Sequence, residues 1–213
     1  MPRLLVYTRT TGYRHDSIPA GVAALRSLEG YAADSTEDPA VFRPDQVSGY
    51  AAIVFLSTSG DVLDDAGRDT VTAYVAAGGA WLGIHAASTT EYDWPWFGDL
   101  VGARFDQHPP VQDATIAVQD RDHPATRHLG ATWTRRDEWY AFRANPRASV
   151  HVLLTVDEAS YTGGTMGADH PIAWCHDRLG GRSFYTALGH TEESFAEPAF
   201  LRHVSGALRW LTS

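Results

Sequence analysis

The chain has 213 residues, 44% of them hydrophobic and 20% charged, with a formal net charge of −9. That balance suits one globule able to bury ~70% of its unfolded surface without disulfide or metal staples. The acidic excess argues against a nucleic-acid partner, which would favour a basic face. A single cysteine, Cys175, excludes an internal disulfide framework. No apolar run approaches the ~18 residues of a membrane span, and the amino terminus enters a strand pattern at once. No membrane partner and no secretory leader are therefore expected, and the location expected is the cytoplasm.

Leu4-Leu-Val-Tyr7 opens the chain as a short buried-strand signal, followed by a loop over residues 8–16. Asp16 or Ser17 can cap a helix with Pro19 in its first turn, and Val22, Leu25 and Leu28 recur at helical spacing. A second short strand is expected within Tyr31 to Asp38, and a clearer one at residues 51–56, Ala-Ala-Ile-Val-Phe-Leu. Asp64 or Asp65 starts the next helix, which runs through Tyr74 and Val75 to a Gly78-Gly79 stop. Residues 80–87, Ala-Trp-Leu-Gly-Ile-His-Ala-Ala, then read as a strand entering a tight elbow with His85 at the tip. Strand alternating with helix predicts a parallel sheet with helices on both faces.

From about 91 to 165 the chain turns rich in Pro, Trp, Asp and His, with strand signals at Ala114 to Val118 and Val150 to Val156. This predicts an elaborated middle insertion with some antiparallel strand and long loops. Pro171-Ile-Ala-Trp-Cys175, a Gly180-Gly181 turn and Arg182 to Leu188 form a predicted hairpin. A closing helix from Pro198 carries Phe200, Val204, Leu208 and Leu211. One domain over 1–213 is expected.

Ligands of open α/β sheets sit beyond the carboxyl ends of the strands. Four such ends deliver candidates: Thr8 to His15, Ser57 to Asp61, His85, and His190 to Glu192. At an elbow tip, histidine is a poor covalent nucleophile but a good acid, base or metal ligand. Arg136-Asp-Glu-Trp-Tyr140 adds adjacent carboxylates among aromatics, and Glu91-Tyr-Asp-Trp-Pro-Trp96 is either a lid or a packed loop. The Gly163–Asp169 stretch before His170 lacks the Lys-Ser/Thr of a phosphate loop, which argues against a nucleotide. Histidines 15, 85, 108, 170 and 190 with Asp137 and Glu138 are numerous enough for a metal site, yet none has the short spacing that identifies one. Zinc is the metal such a shell would take.

Thr10-Thr-Gly-Tyr-Arg-His-Asp-Ser17, Phe55-Leu-Ser-Thr-Ser-Gly-Asp-Val62, Gly83-Ile-His-Ala-Ala87, Glu91 to Trp96, Asp137-Glu-Trp-Tyr140, Asp169 to Trp174 and Tyr185 to His190 resemble the ThuA-like, or trehalose-utilization, family. The resemblance implies an α/β fold of flavodoxin-like, class I glutamine amidotransferase-like type: a three-layer sandwich with a mostly parallel central sheet. His85 then stands where those amidotransferases carry their elbow cysteine, and His190 and Glu192 have the spacing of their His and Glu, with Thr191 in place of the usual Pro. Without a thiolate there is no thioester route, so glutaminase activity is not expected. The resemblance implies carbohydrate metabolism.

The first expectation is therefore an enzyme acting on a sugar or keto-sugar by proton transfer. His85, His190 and Glu138 are its catalytic candidates, and His15, Asp61, Tyr92, Trp94, Trp139, Tyr140 and His170 its substrate contacts. The rivals are a zinc-dependent hydrolase using the same histidines and a non-catalytic sugar-binding module. The partner expected is a small-molecule sugar, with self-association left open.

Overall fold

The computed structural model describes all 213 residues. In chain order the elements are β1 (Arg3–Tyr7), α1 (Ile18–Arg26), β2 (Ala32–Thr36), α2 (Pro44–Val47), β3 (Ala52–Leu56), α3 (Asp65–Ala76), β4 (Ala80–Ile84) and α4 (Pro95–Val101). They continue with β5 (Phe105–Gln107), β6 (Gln112–Val118), β7 (Thr132–Asp137), β8 (Ala141–Phe142), β9 (His151–Val156), β10 (Pro171–His176), β11 (Ser183–Thr186) and α5 (Pro198–Leu211). Nine strands form one sheet in the order β2-β1-β3-β4-β11-β10-β9-β6-β7, and β5 pairs with β8 in a separate ribbon.

The strands β2, β1, β3, β4 and β11 are mutually parallel, and every pairing beyond β11 is antiparallel. Reversing twice restores direction, so β9 and β7 point the same way as the parallel five. The carboxyl ends of β1, β4, β11 and β7 thus lie along one edge of the sheet. The sandwich has three layers. Phe55 turns one way to meet Phe42, just before α2, and Phe97 of α4. The next residue, Leu56, turns the other way against α1 at Gly21, where a Cβ would come within 2.9 Å of the leucine. Phe184 lies on that second face too, 5.5 Å from the His203 ring of α5. One contiguous apolar core runs from Leu4 to Leu211.

Local signals explain most boundaries. Asp64 caps α3 by accepting the Gly67 N–H at 2.6 Å. The middle segment holds more order than its composition suggests. Its strands β6, β7 and β9 extend the central sheet, and α4 occupies part of the stretch read as lid or packed loop. With Pro95 opening it and Gly102 (φ 94°) closing it, α4 has only seven residues, too few for a helical period to show.

Candidate active site at the sheet edge

Three strand ends and one folded-over loop bring four side chains to a point. Chain direction at His85 is set by the elbow: β4 ends at Ile84, and His85 takes φ 52°, a left-handed conformation that non-glycine residues adopt rarely. Tyr185 holds it there, its hydroxyl donating to the His85 carbonyl at 2.7 Å. The His85 side chain is fully buried, and its Nδ1–H donates to the Ala187 carbonyl at 2.7 Å. In the neutral ring that bond leaves the Nε2 lone pair facing away from the backbone.

Nε2 of His85 lies 3.1 Å from Nε2 of His15, on the loop after β1, and 3.2 Å from Nδ1 of His190, on the turn after β11. Glu138, one residue past β7, puts Oε2 at 3.5 Å from His85 Nε2 and 3.1 Å from His190 Nδ1. One ligand atom from each of the four lies within 4.8 Å of every other. Ser17 ties two of the loops together by donating to the Gly189 carbonyl at 3.2 Å.

Electrostatics divide the four. Burial, reinforced by the neighbouring His85 and His190 rings, pushes His15 down to about 3, so it is neutral at pH 7. Burial works to raise Glu138, but the hydrogen bond from His190, first among the lowering contacts, helps outweigh it and hold the carboxylate well below its usual range. His190 is the counterpart: burial works to lower it, yet the Glu138 contact carries it upward. The Nδ1 atom of His15 is buried without a protein partner.

The cluster sits at the inner end of a cleft of about 500 Å³ walled by Tyr13, Ser59, Thr89, Phe105, His108 and Tyr140 among others. Tyr140 covers the His85 ring at 4.4 Å between centroids. A second cleft of similar volume, between α2 and α3, is lined by Pro44, Val47 and Tyr74 and holds no comparable cluster.

The remaining sequence candidates fall outside. Asp61 follows Gly60 at the rim, its side chain 76% exposed and 4.0 Å from Arg68. Tyr92 donates to the Phe105 carbonyl, and Trp94 stacks on Trp96 at 4.9 Å, so both brace loops. Trp139 is buried, with Nε1–H donating to Gln112 O at 2.9 Å. His170 is buried between Glu158 and the Tyr140 carbonyl, each at 2.8 Å. None of the five lines the cleft, because their polar atoms are occupied by the fold or turned to solvent. Glu192 precedes the short 3-10 turn Glu193–Ala196 and is not in the cluster. His108, named in the sequence only among possible metal ligands, stands beside the cluster on the cleft wall: its Nδ1 is 3.0 Å from Glu138 Oε1, and its ring stacks on Tyr140.

The ThuA family, described as trehalose utilisation, matches residues 3–211. The chain belongs to that family. A ThuA-like protein from Bacteroides uniformis is similar in structure, with TM-score 0.82 and 26% identity over 99% of this chain and 91% of its own. Another from Parabacteroides merdae gives 0.81 and 19% over 100% and 91%. The cytoplasmic protein STM3548 from Salmonella typhimurium shares the fold at 0.69 and 12% identity, over 99% of each chain. No curated protein matches the sequence significantly. Membership in ThuA links the chain to carbohydrate use, and it agrees with the flavodoxin-like and amidotransferase-like sandwich described above. No helix of this ThuA protein is long and apolar enough to cross a membrane.

Proposed function

We propose that this ThuA protein is an enzyme acting on a sugar or keto-sugar, with a divalent transition-metal ion, zinc in the first instance, held by His15, His85, His190 and Glu138. The observation that carries the reading is the spacing of the four ligand atoms. A tetrahedral shell with arms of about 2.0–2.1 Å has edges of about 3.3–3.4 Å. Four of the six separations here are 3.1, 3.1, 3.2 and 3.5 Å, and all six are within 4.8 Å. The donor set is also right in chemistry: three imidazole nitrogens and one carboxylate oxygen suit zinc. Neutral His15 and the His85 tautomer fixed by Ala187 fit that role.

With four protein groups filling the shell, an ion bound there would supply Lewis acidity to a sugar oxygen or a water only by taking it as a fifth ligand. The chain's own groups would do the rest. Tyr13, Phe105 and Tyr140 give flat faces for a pyranose ring, and Ser59, Thr89 and His108 give hydroxyl partners. Hydrolysis is the reaction class proposed first.

A second reading, proton transfer by His85 and His190 with Glu138 orienting, is favoured by the 3.1 Å Glu138–His190 contact and the raised His190. The two separate on one experiment. Untagged protein loaded with zinc or cobalt and desalted should retain near-stoichiometric metal, melt at higher temperature, and lose both the gain and any keto-sugar turnover on chelation. Metal-free protein with no metal-dependent melting shift, turning over keto-sugars in chelator, would replace the first reading with the second.

A further inference from the structure

Three of the four cluster residues follow strands of the parallel set, but Glu138 follows β7, the far edge strand. Between β11 and β7 stand β10, β9 and β6. At ~4.8 Å per strand, a flat sheet would hold the two ends roughly 19 Å apart. The sheet instead curls, and Trp133 of β7 packs beside His203 of α5. Sheet hydrogen bonds do not determine how closely such a curl shuts.

One fully buried side chain spans the closure. Oδ1 of Asp137 accepts the N–H of Glu138 at 2.9 Å and of His190 at 3.1 Å, and Oδ2 accepts the N–H of Gly189 at 3.0 Å. Arg135 approaches the same carboxylate at 3.1 Å and is itself held between Trp133 and Phe200, with Nη2 donating to Ser194. An anion buried without hydrogen bonds or a countercharge would be strongly unfavourable, and here every requirement is met. The bonds join the backbone of both Glu138 and His190 to a single rigid group. Gly189 takes φ 110° in that turn, which presents its N–H and that of His190 to one carboxylate.

We propose that Asp137 is the positioning residue of the centre: it sets the Glu138-to-His190 separation, and therefore the shape of the site, without touching a ligand or substrate itself. Its effect on metal affinity rests on the metal reading above; the backbone tie does not. Asp137→Asn preserves volume but turns one acceptor oxygen into a donor facing an N–H. The double variant Arg135→Gln with Asp137→Asn also removes the arginine charge left without its partner, and serves if the single variant does not fold.

The test pairs residue-resolved amide exchange with zinc titration against a competing chelator, on the full chain. In the wild type the Gly189 and His190 amides should be protected like strand amides. In the folded variant both should lose protection while Leu82 and Phe184 keep theirs. Zinc should bind ~10–100-fold more weakly, the range typical of outer-shell changes, and the cobalt absorption spectrum should change. Wild-type Gly189 and His190 amides exchanging like free loop amides would overturn the proposal. So would a folded variant that binds zinc within twofold of wild type. Wild-type protein that binds no zinc would remove the metal reading alone, and the exchange data would still decide the tie.

Discussion

The parallel strands and the antiparallel extension reach the same edge of the sheet by different physics. Strands β3 and β4 are buried at every position, covered by helices on both faces, as parallel sheets generally are. Their ends are therefore placed by the core, and the elbow at His85 inherits that rigidity. Strand β7 alternates exposed and buried along its length, with one face in water. Its end is placed by a few polar bonds, those of Asp137 above all. A cluster side chain from the first region is positioned by packing, and the one from the second by hydrogen bonds and charge.

The largest expected effect comes from removing the elbow side chain. His85→Ala should eliminate zinc binding and turnover while the far-ultraviolet spectrum is retained, a loss beyond the ~10–100-fold of an outer-shell change. Zinc affinity near that of wild type would take His85 out of the centre.

Next, core truncation should separate the two regions. Phe55→Ala in β3 removes a ring packed against Tyr7, Phe42, Trp81 and Phe97. The cost should be about 3–5 kcal/mol by denaturant unfolding. Trp133→Phe in β7 loses the 2.9 Å bond to Glu197 and should cost only about 0.5–1.5 kcal/mol. Equal costs would erase the contrast between a packed and a tied region.

Acid should then act through buried neutral histidines. Burial lowers His203 to about 3 and His123 to about 4, from an ordinary value of 6.5. Below about pH 6.5 the unfolded chain takes up protons that the folded chain refuses, so their contribution is complete above that pH and is lost as pH falls toward 4 and 3. Unfolding midpoints at pH 7.5 and 5 should differ accordingly, and His203→Gln should shrink the difference. An unchanged pH slope in that variant would show that His203 is not a source.

The smallest effect should be at Trp94. It stacks on Trp96 and lies 5.7 Å from the Arg68 guanidinium, away from the cleft. Trp94→Ala should leave sugar affinity within twofold, whereas Tyr140→Ala, on the cleft wall, should weaken it. Sugar-dependent thermal shifts read both, and equal losses would move the ligand toward the α4 loop.

Much of the parallel half was legible because its signals are local. The runs at 4–7, 51–56 and 80–84, the Asp64 cap, the Gly78-Gly79 stop and the hairpin from Pro171 each depend on neighbours within a few residues. His15, His85 and His190 followed from the rule that strand ends carry ligands. The aromatic candidates did not follow so simply. Trp94, Trp139 and Tyr140 have similar local surroundings in sequence, and only the closing of β5 on β8 and the path of β7 put Tyr140 in the cleft. His170 likewise reads as a free imidazole until Glu158 and the Tyr140 carbonyl are seen around it.

By itself the sequence determined the family, the alternation of strand and helix, the elbow histidine and the absence of an elbow thiol, since each is written in contiguous residues. The tertiary structure alone decided that four distant groups share one point, that Glu138 enters from the opposite flank, and that Asp137 holds it there. Those facts depend on strand order, on the direction β7 regains after four reversals, and on the curl of the sheet. These are properties of long-range pairing, which no local pattern encodes.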